Sequence, residues 1–288
     1  MKLAIIGGYG QVGQEFQKHI SHENLVLLSH EQIEVCDLES VNSVLTGIDV
    51  DVVINLAAFH NTDQCETEKE KAFLVNSIGA YNVAKVSQDL NKKVVYFSTD
   101  YVYGLDSERD KPYLEIDEIA PLNIYGASKS AGEMMVRTLN KNHLIIRTSS
   151  LYGALTSKKG WTFPEMIYSK ASKGEPLKVV NDQVMSPTYT NELVSVLIEF
   201  LKIDATGTIH IAGGGQCSWY EFACETLRLL NIDYEIESVS SSVFPTKAER
   251  PKYSVLSSVF FENFNVCPMS NWKEALKRYL IEKGELVQ

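Results

Sequence analysis

Tyr125 and Lys129, four residues apart, have the types and the spacing that acid–base chemistry requires. Residues four apart on a helix lie on one face, one turn apart. A tyrosine with an ordinary pKa of about 10 is a poor proton donor at neutral pH. A neighbouring ammonium favours the phenolate and brings that pKa into a usable range. We therefore predict that Tyr125 protonates a substrate oxygen while a hydride reaches the adjoining carbon.

The same spacing also arises by chance on exposed helices, so the pair needs support from its surroundings. Ser98 and Thr99 end an apolar run that is typical of a strand buried on both faces. In open α/β sheets, ligands bind at the carboxyl ends of the strands. We expect Thr99 to lie there and to donate a hydrogen bond to a substrate carbonyl.

A glycine-rich stretch after the first apolar run indicates dinucleotide binding. Gly7 permits a tight turn, Gly10 lets backbone N–H groups approach a pyrophosphate, and Gly13 lets the following helix pack closely on the sheet. The N-terminus of that helix supplies partial positive charge to the phosphates. A glycine pattern alone is weak, but here it lies between a predicted strand and a predicted helix.

The choice between NADP and NAD depends on the residues directly after the second predicted strand. Ser29 and His30 offer no carboxylate for a ribose diol and would tolerate a 2′-phosphate, which favours NADP. Glu31 is close enough to keep NAD open. Asp37, with Leu38 next to it, comes after a possible extended piece and would either meet the adenine or cap the next helix.

The elements that must position these residues alternate regularly in the first half. Apolar runs that predict strands cover residues 2–6, 25–28, 52–56, 94–98 and 144–147. Amphipathic segments between them cover residues 11–20, 41–45, 72–90 and 125–139. This alternation predicts an α/β fold with a Rossmann-type doubly wound parallel sheet and right-handed crossovers.

The second half is less regular and predicts a smaller C-terminal α/β substrate-binding domain. Strands are predicted over 177–180 and 208–211, a loop over 181–189, and helices over 191–201, 219–230 and 272–283. Ser218 and Glu221 have capping-box spacing. We predict a cofactor domain over 1–152 and mainly a substrate domain over 153–288, with the break near 152–159 and a partial return to the first domain.

Composition limits the possible partners and the compartment. The 288 residues carry 27 Lys and Arg against 37 Asp and Glu, a net charge of −10, which does not suit nucleic-acid binding. No apolar run approaches the ~18 residues of a membrane span, and the N-terminal apolar stretch is too short for a secretion signal. The five cysteines show no C-x-x-C spacing. These features predict a cytoplasmic protein without a membrane or nucleic-acid partner.

The order of the motifs resembles the extended short-chain dehydrogenases/reductases, and within them the dTDP-4-dehydrorhamnose reductase family. The matching pieces span nearly the whole chain: GGYGQVG (7–13), DVVINLAAFHNTDQCETE (51–68), VNSIGAYNVA (75–84), STDYVYG (98–104), APLNIYGASKSAGE (120–133), RTSSLYG (147–153), NDQVMSPTY (181–189), SWYEFA (218–223) and ERPKYSVLS (249–257).

The resemblance implies a reductase of the 4-keto group of a nucleotide-linked 6-deoxyhexose, with NADPH or NADH as donor. It implies Thr99, Tyr125 and Lys129 as the catalytic set. It also implies three groups of cofactor contacts: a pyrophosphate group, an adenosine group and a nicotinamide-ribose group. These are Gly7, Gly10, Gln11, Val12 and Gly13; Ala57 and Ala58; and Ser98 with Lys129.

On the substrate side we expect Tyr101 to border the sugar and Arg250 to bind its phosphates, although Arg250 could instead pair with a surface acid. The sequence departs from the family here, for example at Ser150, where tryptophan is common. The identity of the sugar and of the nucleotide therefore stays open. A non-catalytic subunit resembling the partner of methionine adenosyltransferase, or a sugar-nucleotide epimerase, remains an alternative.

Some members of the family hold Mg²⁺ at a dimer interface through acidic residues. Glu15 and Glu192 lie where two such ligands would fall, but exposed glutamates are usually solvated. The histidines show no ligand spacing. We therefore predict no metal site, and a homodimer stays open.

Overall fold

A six-stranded parallel sheet is the centre of the computed structural model, which describes residues 1–155 and 160–286. The described residues form twelve strands in all, six of which belong to this sheet. They are β1 (Leu3–Ile6), β2 (Leu25–Leu28), β3 (Val52–Asn55), β4 (Lys93–Thr99), β5 (His143–Thr148), β6 (Leu151–Tyr152), β7 (Lys178–Val180), β8 (Val184–Met185), β9 (Thr188–Tyr189), β10 (Gly207–His210), β11 (Cys217–Ser218) and β12 (Glu237–Val239). The central sheet has the order β10-β5-β4-β3-β1-β2.

Helices cover both faces of this sheet. The helices of the described residues are α1 (Gln11–His19), α2 (Leu38–Thr46), α3 (Thr62–Thr67), α4 (Lys69–Phe73), α5 (Gly79–Asp89), α6 (Ile124–Leu139), α7 (Phe163–Ser172), α8 (Thr190–Lys202), α9 (Trp219–Leu229), α10 (Phe260–Phe264) and α11 (Trp272–Glu282). Apolar side chains of α1 and α8 pack on one face, and those of α2, α5 and α6 pack on the other. The predicted doubly wound Rossmann-type sheet is confirmed.

The direction of winding reverses at β1, because β2 and β3 pair with its two opposite edges. In a doubly wound sheet, such a reversal opens a crevice at the carboxyl ends of the strands, and ligands bind there. The loops after β1, β3 and β4 all begin at this end. The sequence therefore assembles the glycine turn and Thr99 on one edge of the sheet.

A smaller unit follows the first five strands. Two helices, α7 and α9, pack together beside the β7–β12 pair, while β8 pairs with β11 and β6 with β9. Its core is largely aromatic and includes Tyr152, Phe222, Trp272 and Tyr279. Both α8 and β10 belong to the large sheet, since β10 pairs with β5.

Several predicted elements differ from the observed ones. The segment predicted as one helix over 72–90 is divided into α4, a π-helical turn (Leu74–Ile78) and α5. The loop predicted over 181–189 contains β8 and β9, and α7 was not predicted. The extended piece before Asp37 forms turns, in which Ile33 and Val35 are buried without strand pairing.

The predicted division into 1–152 and 153–288 remains a prediction, and residues 156–159 of the predicted break lie outside the described residues. No helix in the described part of the chain combines the length and the apolar character that a bilayer crossing needs.

Candidate active site

The glycine turn lies at the reversal point of the sheet. Gly7 has φ +77° and its α-carbon faces the backbone of Leu56, where an added Cβ would meet atoms at 3.4–3.5 Å. An added Cβ on Gly13 would lie 2.4 Å from the Gly8 carbonyl oxygen, so α1 approaches the turn as closely as backbone allows. Gly8 is also required, since its Cβ would fall 2.8 Å from Leu27. Sequence reasoning missed Gly8.

The first turn of α1 is available to an anion. Gly10 is its N-cap and contributes no side-chain hydrogen bond, so the leading N–H groups keep their donor capacity. Gln11 donates from Nε2 to the carbonyl oxygen of Gly153 at 3.1 Å, while Val12 is buried. These residues fit a dinucleotide pyrophosphate, because the glycines leave its approach free of side chains.

The carboxylate of Glu31 lies within hydrogen-bonding distance of Ser29, just after β2. The hydroxyl of Ser29 donates to Glu31 at 3.3 Å, and its N–H donates to Oε1 of Gln32 at 2.8 Å. Asp37 is exposed and caps α2 by accepting from the N–H of Glu39 at 2.9 Å, with Leu38 exposed beside it. The geometry thus shows the capping alternative for Asp37.

The loop after β3 forms the neighbouring wall of the crevice. Asn55 is buried at the end of the strand and accepts from the N–H of Ala57 at 3.0 Å. Ala57 and Ala58 are half-buried. Their small side chains leave room beside the glycine turn, as an adenosine contact requires.

Thr99, Asp100 and Tyr125 form a polar cluster at the end of β4, in which Thr99 and Asp100 are buried and Tyr125 is partly exposed. The hydroxyl of Thr99 donates to Oδ1 of Asp100 at 3.0 Å, accepts from the N–H of Tyr101 at 3.1 Å, and lies near the side chain of Tyr125. Asn123 begins α6 by accepting from the N–H of Gly126, which aims the first turn and Tyr125 at this cluster. Asp100 was not among the predicted site residues.

Burial governs the protonation of this cluster. It raises the pKa of Tyr125 well above its ordinary value, and the nearby Asp100 raises it further. Burial also raises the pKa of Asp100 to about 6, against hydrogen bonds from Ser254, Ser149 and Thr99. Both groups are thereby held toward their protonated forms.

Lys129 does not act on Tyr125 as the sequence suggested. Its ammonium lies 4.1 Å from the ring centroid of Tyr96, and burial lowers its pKa to about 7 despite the charge of Glu133. In this structure burial raises the pKa of Tyr125, contrary to the expectation that the lysine would lower it, and Lys129 is not among the groups that shift it. Lys129 and Tyr125 nonetheless share the crevice face of α6.

A buried ion pair between Glu133 and Arg147 lies beside Ser98 and Lys129. The sequence analysis did not identify it. Glu133 lies one turn beyond Lys129 and is fully buried; it accepts from Ser98 at 2.5 Å. Arg147 donates to the same carboxylate through Nε at 2.9 Å and Nη2 at 2.6 Å. Its Nη1 donates to the hydroxyl of Tyr103 at 2.6 Å. Glu133 could have been found from its position four residues after Lys129. Arg147 could not, because it reaches this site only through the pairing of β4 with β5, in which it lies opposite Ser98.

Asn76, in the π-helical turn, connects three parts of the site. Asn76 in this turn accepts from the N–H of Phe59 at 2.8 Å and donates to Ser128 at 2.9 Å. Its freed carbonyl oxygen accepts from the hydroxyl of Tyr96 at 2.8 Å. One residue thus joins the loop after β3, the helix of Tyr125 and the ring beneath Lys129.

A segment from the second half, residues 248–257, crosses over the cluster; we call it the strap. Its Ala248 N–H donates to Asp63 at 3.0 Å, and the carbonyl of Glu249 accepts from Asn123 at 2.8 Å. Ser254 reaches Asp100, and Pro251 lies so close to Gly104 that a Cβ there would fall 2.6 Å from its ring.

The two predicted substrate contacts lie close together, with Arg250 on the strap and Tyr101 just after β4. Arg250 donates to Asp63 at 3.3 Å and to Thr62 at 3.5 Å, and it lies near the hydroxyl of Tyr101. The ring of Tyr101 meets that of Tyr125 edge-on, with centroids 6.0 Å apart. The acid that pairs with Arg250 is therefore Asp63, which lies on α3.

The two glutamates considered for a metal have cationic partners. Glu15 is fully buried, not exposed as expected, because α1 packs against α8; it pairs with Lys18 at 2.6 Å and accepts from Thr190 at 2.9 Å. Glu192 pairs with Arg278 at 3.0 Å. The described residues contain no cluster of three His, Cys, Asp or Glu suited to a metal.

Known proteins resemble this chain over its whole length. It is 37% identical over 285 residues to the "Spore coat polysaccharide biosynthesis protein SpsK" of Bacillus subtilis, covering 98% of each chain. It is 31% identical over 298 residues to the dTDP-4-dehydrorhamnose reductase of Escherichia coli, again covering 98% of each. A solved structure of dTDP-4-dehydrorhamnose reductase from Bacillus anthracis, in complex with NADP, superposes with a TM-score of 0.92 at 35% identity, covering 98% of this chain and 100% of that one.

The family model described as "RmlD substrate binding domain" matches residues 1–284. With the glycine turn, the Thr99–Tyr125–Lys129 set and the strap in the order expected, this chain belongs to that family.

Proposed function

We propose that this protein is an NADPH-dependent reductase of the 4-keto group of a nucleotide-linked 6-deoxyhexose, of the dTDP-4-dehydrorhamnose reductase type. The observation that carries the proposal is the convergence of Thr99, Tyr125 and Lys129 beside an uncapped glycine turn at one edge of the sheet. Full-length similarity to reductases of this name supports it. The intact catalytic set favours an enzyme over a non-catalytic subunit.

In this proposal Tyr125 is the proton donor. NADPH, when bound, supplies the hydride that the carbonyl carbon receives. Tyr125 gives its proton to the carbonyl oxygen, and its raised pKa keeps that proton in place until the negative charge develops. The nicotinamide ribose is assigned to Ser98 and Lys129; Glu133 accepts from Ser98 and lies near Lys129.

The cofactor phosphates are assigned to Gly10, Gln11, Val12 and Gly13, and the adenosine half to Ala57 and Ala58. NADP is the expected cofactor because neither Ser29 nor His30 carries a carboxylate, and the similar B. anthracis structure contains NADP. Glu31 remains the residue through which NAD could be accepted, since it already contacts Ser29.

The nucleotide-sugar is assigned to the cleft between Tyr101, Arg250 and the second half of the chain. The molecule carries a net charge of −10, so a diphosphate must be held by local cations. Arg250 is the candidate, because its guanidinium can offer two parallel N–H donors to one phosphate. Pairing with Asp63 holds it at the crevice.

The decisive experiment monitors NADPH absorbance with a panel of nucleotide-linked 4-keto sugars. We expect dTDP-4-dehydrorhamnose, or a close relative among the 4-keto-6-deoxyhexoses, to be reduced at the C4 carbonyl. Retention of NADPH with every member of the panel, while an unreduced sugar is epimerised, would support the epimerase alternative instead.

We further propose that the protein acts in the cytoplasm, where its five unpaired cysteines would stay reduced. Self-association into a homodimer is proposed from the family resemblance alone; sedimentation equilibrium would test it.

A further inference from the structure

The short helix α3 contacts both the strap and the first turn of α6. Asp63 on α3 accepts from the N–H of the strap's Ala248 at 3.0 Å and from Arg250 at 3.3 Å. Three residues further along α3, Oε1 of Glu66 accepts from the N–H of Ile124 at 2.8 Å. Ile124 is the first residue of α6 and directly precedes the proposed proton donor.

The strap and α6 also contact each other directly. Asn123, the N-cap of α6, donates from Nδ2 to the carbonyl oxygen of Glu249 at 2.8 Å, while its Oδ1 accepts from the N–H of Gly126 at 2.9 Å. The consecutive strap residues 248, 249 and 250 are therefore held by α3, by the cap of α6 and by α3 again. These hydrogen bonds join α3, the strap and the start of α6 in a closed ring.

Glu66 satisfies a donor that α6 cannot satisfy itself. The first four N–H groups of a helix have no carbonyl partner within that helix. In α6, the local cap Asn123 accepts from one of them, and Glu66, 58 positions from Ile124, accepts from another. A carboxylate is a strong acceptor for a backbone N–H, and its charge suits the positive end of the helix dipole. The first turn of α6 is therefore held by α3 as well as by its own cap.

The same short helix links the two groups that must act on opposite ends of one substrate. Arg250, the candidate for the diphosphate, pairs with Asp63, and Tyr125 follows the residue that Glu66 holds. In a nucleotide-linked hexose the diphosphate is attached at C1, whereas the keto group lies across the ring at C4. A misplacement of about 1 Å between reacting groups costs about 10²-fold in rate, so the distance between these two residues must be fixed.

We propose that Glu66 is a positioning residue for Tyr125. Together with Asp63, it makes α3 the spacer between the proton donor and the strap's Arg250. The inference rests on the proposed reductase function, which needs the tyrosine hydroxyl at the C4 carbonyl oxygen while the diphosphate is bound. It gives α3 a role in bringing C4, rather than another carbon of the sugar, to the reaction centre.

The first test is Glu66→Ala, which removes the acceptor and leaves the catalytic set and the glycine turn unchanged. With dTDP-4-dehydrorhamnose as substrate, kcat should fall roughly tenfold to a hundredfold, because the hydroxyl of Tyr125 is no longer held at the carbonyl oxygen. The Kd for NADPH should stay unchanged. Glu66→Gln should recover most of the lost rate, since its amide oxygen can accept from the same N–H.

Single-turnover mixing distinguishes positioning from a loss of folded enzyme. Enzyme loaded with NADPH is mixed rapidly with excess dTDP-4-dehydrorhamnose, and the oxidation of the bound cofactor is followed. The amplitude counts the competent molecules, and the rate constant reports the reduction itself. Glu66→Ala should keep the wild-type amplitude and lower the rate constant. A lower amplitude with an unchanged rate constant would mean that Glu66 only supports folding, and would overturn the positioning role.

Glu70→Ala is the matched control, since it also removes a glutamate side chain but lies exposed on α4. It should keep the wild-type rate constant and amplitude. Glu66→Met, which keeps a long side chain without the carboxylate, gives a second reading should Glu66→Ala lose its affinity for NADPH.

Asp63→Ala tests the other end of α3, because it removes the acceptor of both the Ala248 N–H and Arg250. With the strap released from α3, the KM for the nucleotide-sugar should rise severalfold, and the Kd for NADPH should stay unchanged. An unchanged KM would overturn the role of α3 as a spacer.

An unchanged single-turnover rate constant in both Glu66→Ala and Glu66→Met would overturn the positioning role. So would an equal loss in Glu66→Gln, which would show that the charge of Glu66 acts and not its hydrogen bond. If the wild-type protein itself fails to oxidise NADPH with the substrate panel, the reductase function falls separately. Amide hydrogen exchange at Ile124 then still tests the contact, and exchange as slow in Glu66→Ala as in wild type would overturn it.

Discussion

Tyr125 and Asp100 illustrate how burial decides chemistry at the scale of one residue. Both ionisable groups are enclosed by strand ends and the strap, and desolvation favours the uncharged form of each. A phenol that retains its proton suits a reduction, in which the tyrosine must give a proton to oxygen. The lysine one turn away is itself too buried to oppose this effect.

Tyr125→Phe should lose nearly all turnover, by about 10²–10⁴-fold, and keep its affinity for NADPH. The substitution removes only the hydroxyl, while the glycine turn is untouched. Steady-state kinetics and a cofactor titration measure the two properties separately. Wild-type turnover in this variant would mean that another acid protonates the sugar.

Asp100 should leave a signature in the pH dependence of stability. A carboxyl whose pKa rises on folding, here to about 6, stabilises the fold below its unfolded pKa of about 3.9 and loses that contribution as pH rises through about 6. Asp100→Asn cannot titrate. From about pH 7 to about pH 4, wild type should therefore gain about 2 kcal/mol of unfolding free energy relative to the variant.

Urea unfolding of both proteins at several pH values measures this difference, and the other carboxyls cancel in the comparison. A difference that stays constant with pH would show that Asp100 is ionised in the folded protein as readily as in the unfolded chain.

At the scale of elements, the strand–turn–helix unit of β1 and α1 was predictable because its signals are local. Apolar strand, glycines at fixed offsets and amphipathic helix all lie within residues 3–19. The division of residues 72–90 was not predictable. In the π-helical turn the carbonyl oxygen of Asn76 accepts a hydrogen bond from the hydroxyl of Tyr96, which lies on β4. The hydrophobic periodicity of residues 72–90 contains no sign of a partner outside the segment.

Gly13→Ala should destabilise this unit and weaken NADPH binding, since the new Cβ would meet the Gly8 carbonyl oxygen at 2.4 Å and push α1 from the turn. Gly47→Ala is the control: its φ is −76° and its Cβ would meet the nearest atoms at 3.4 Å or more, an ordinary contact. Thermal unfolding and cofactor titration should separate the two variants. Equal behaviour would contradict the close packing of α1.

At the scale of the whole molecule, the crevice is completed by contacts between the two halves. Arg250 and Asp63 are 187 positions apart, and Asn123 reaches Glu249 over 126. Thr99, Tyr125 and Lys129 could be predicted because residue type and spacing identify them. The partners that fix them, such as Ser254 and Arg147, have no such signal, since any serine or arginine could serve until the fold selects one.

Arg250→Lys should raise the KM for nucleotide-sugar strongly and leave the Kd for NADPH unchanged, because lysine cannot offer two parallel donors to a phosphate. Arg228→Lys is a matched control, since the Arg228 side chain is exposed on α9 and its guanidinium pairs with Glu225. An unaltered KM would reject the assignment and shift attention to Lys247 or Lys252, or to Lys178, which already pairs with Glu237.

The strap also has a consequence for the order in which the molecule is made. A ribosome releases the amino-terminal half first, so the sheet edge with Thr99 and α6 with Tyr125 can fold while residues 248–257 are still unmade. During that interval the cluster lies open to water and Asp100 lacks its hydrogen bond from Ser254. A nascent chain can therefore form the glycine turn before the strap covers the cluster. A protease that cuts before residue 248 would leave the glycine turn in place and remove the strap.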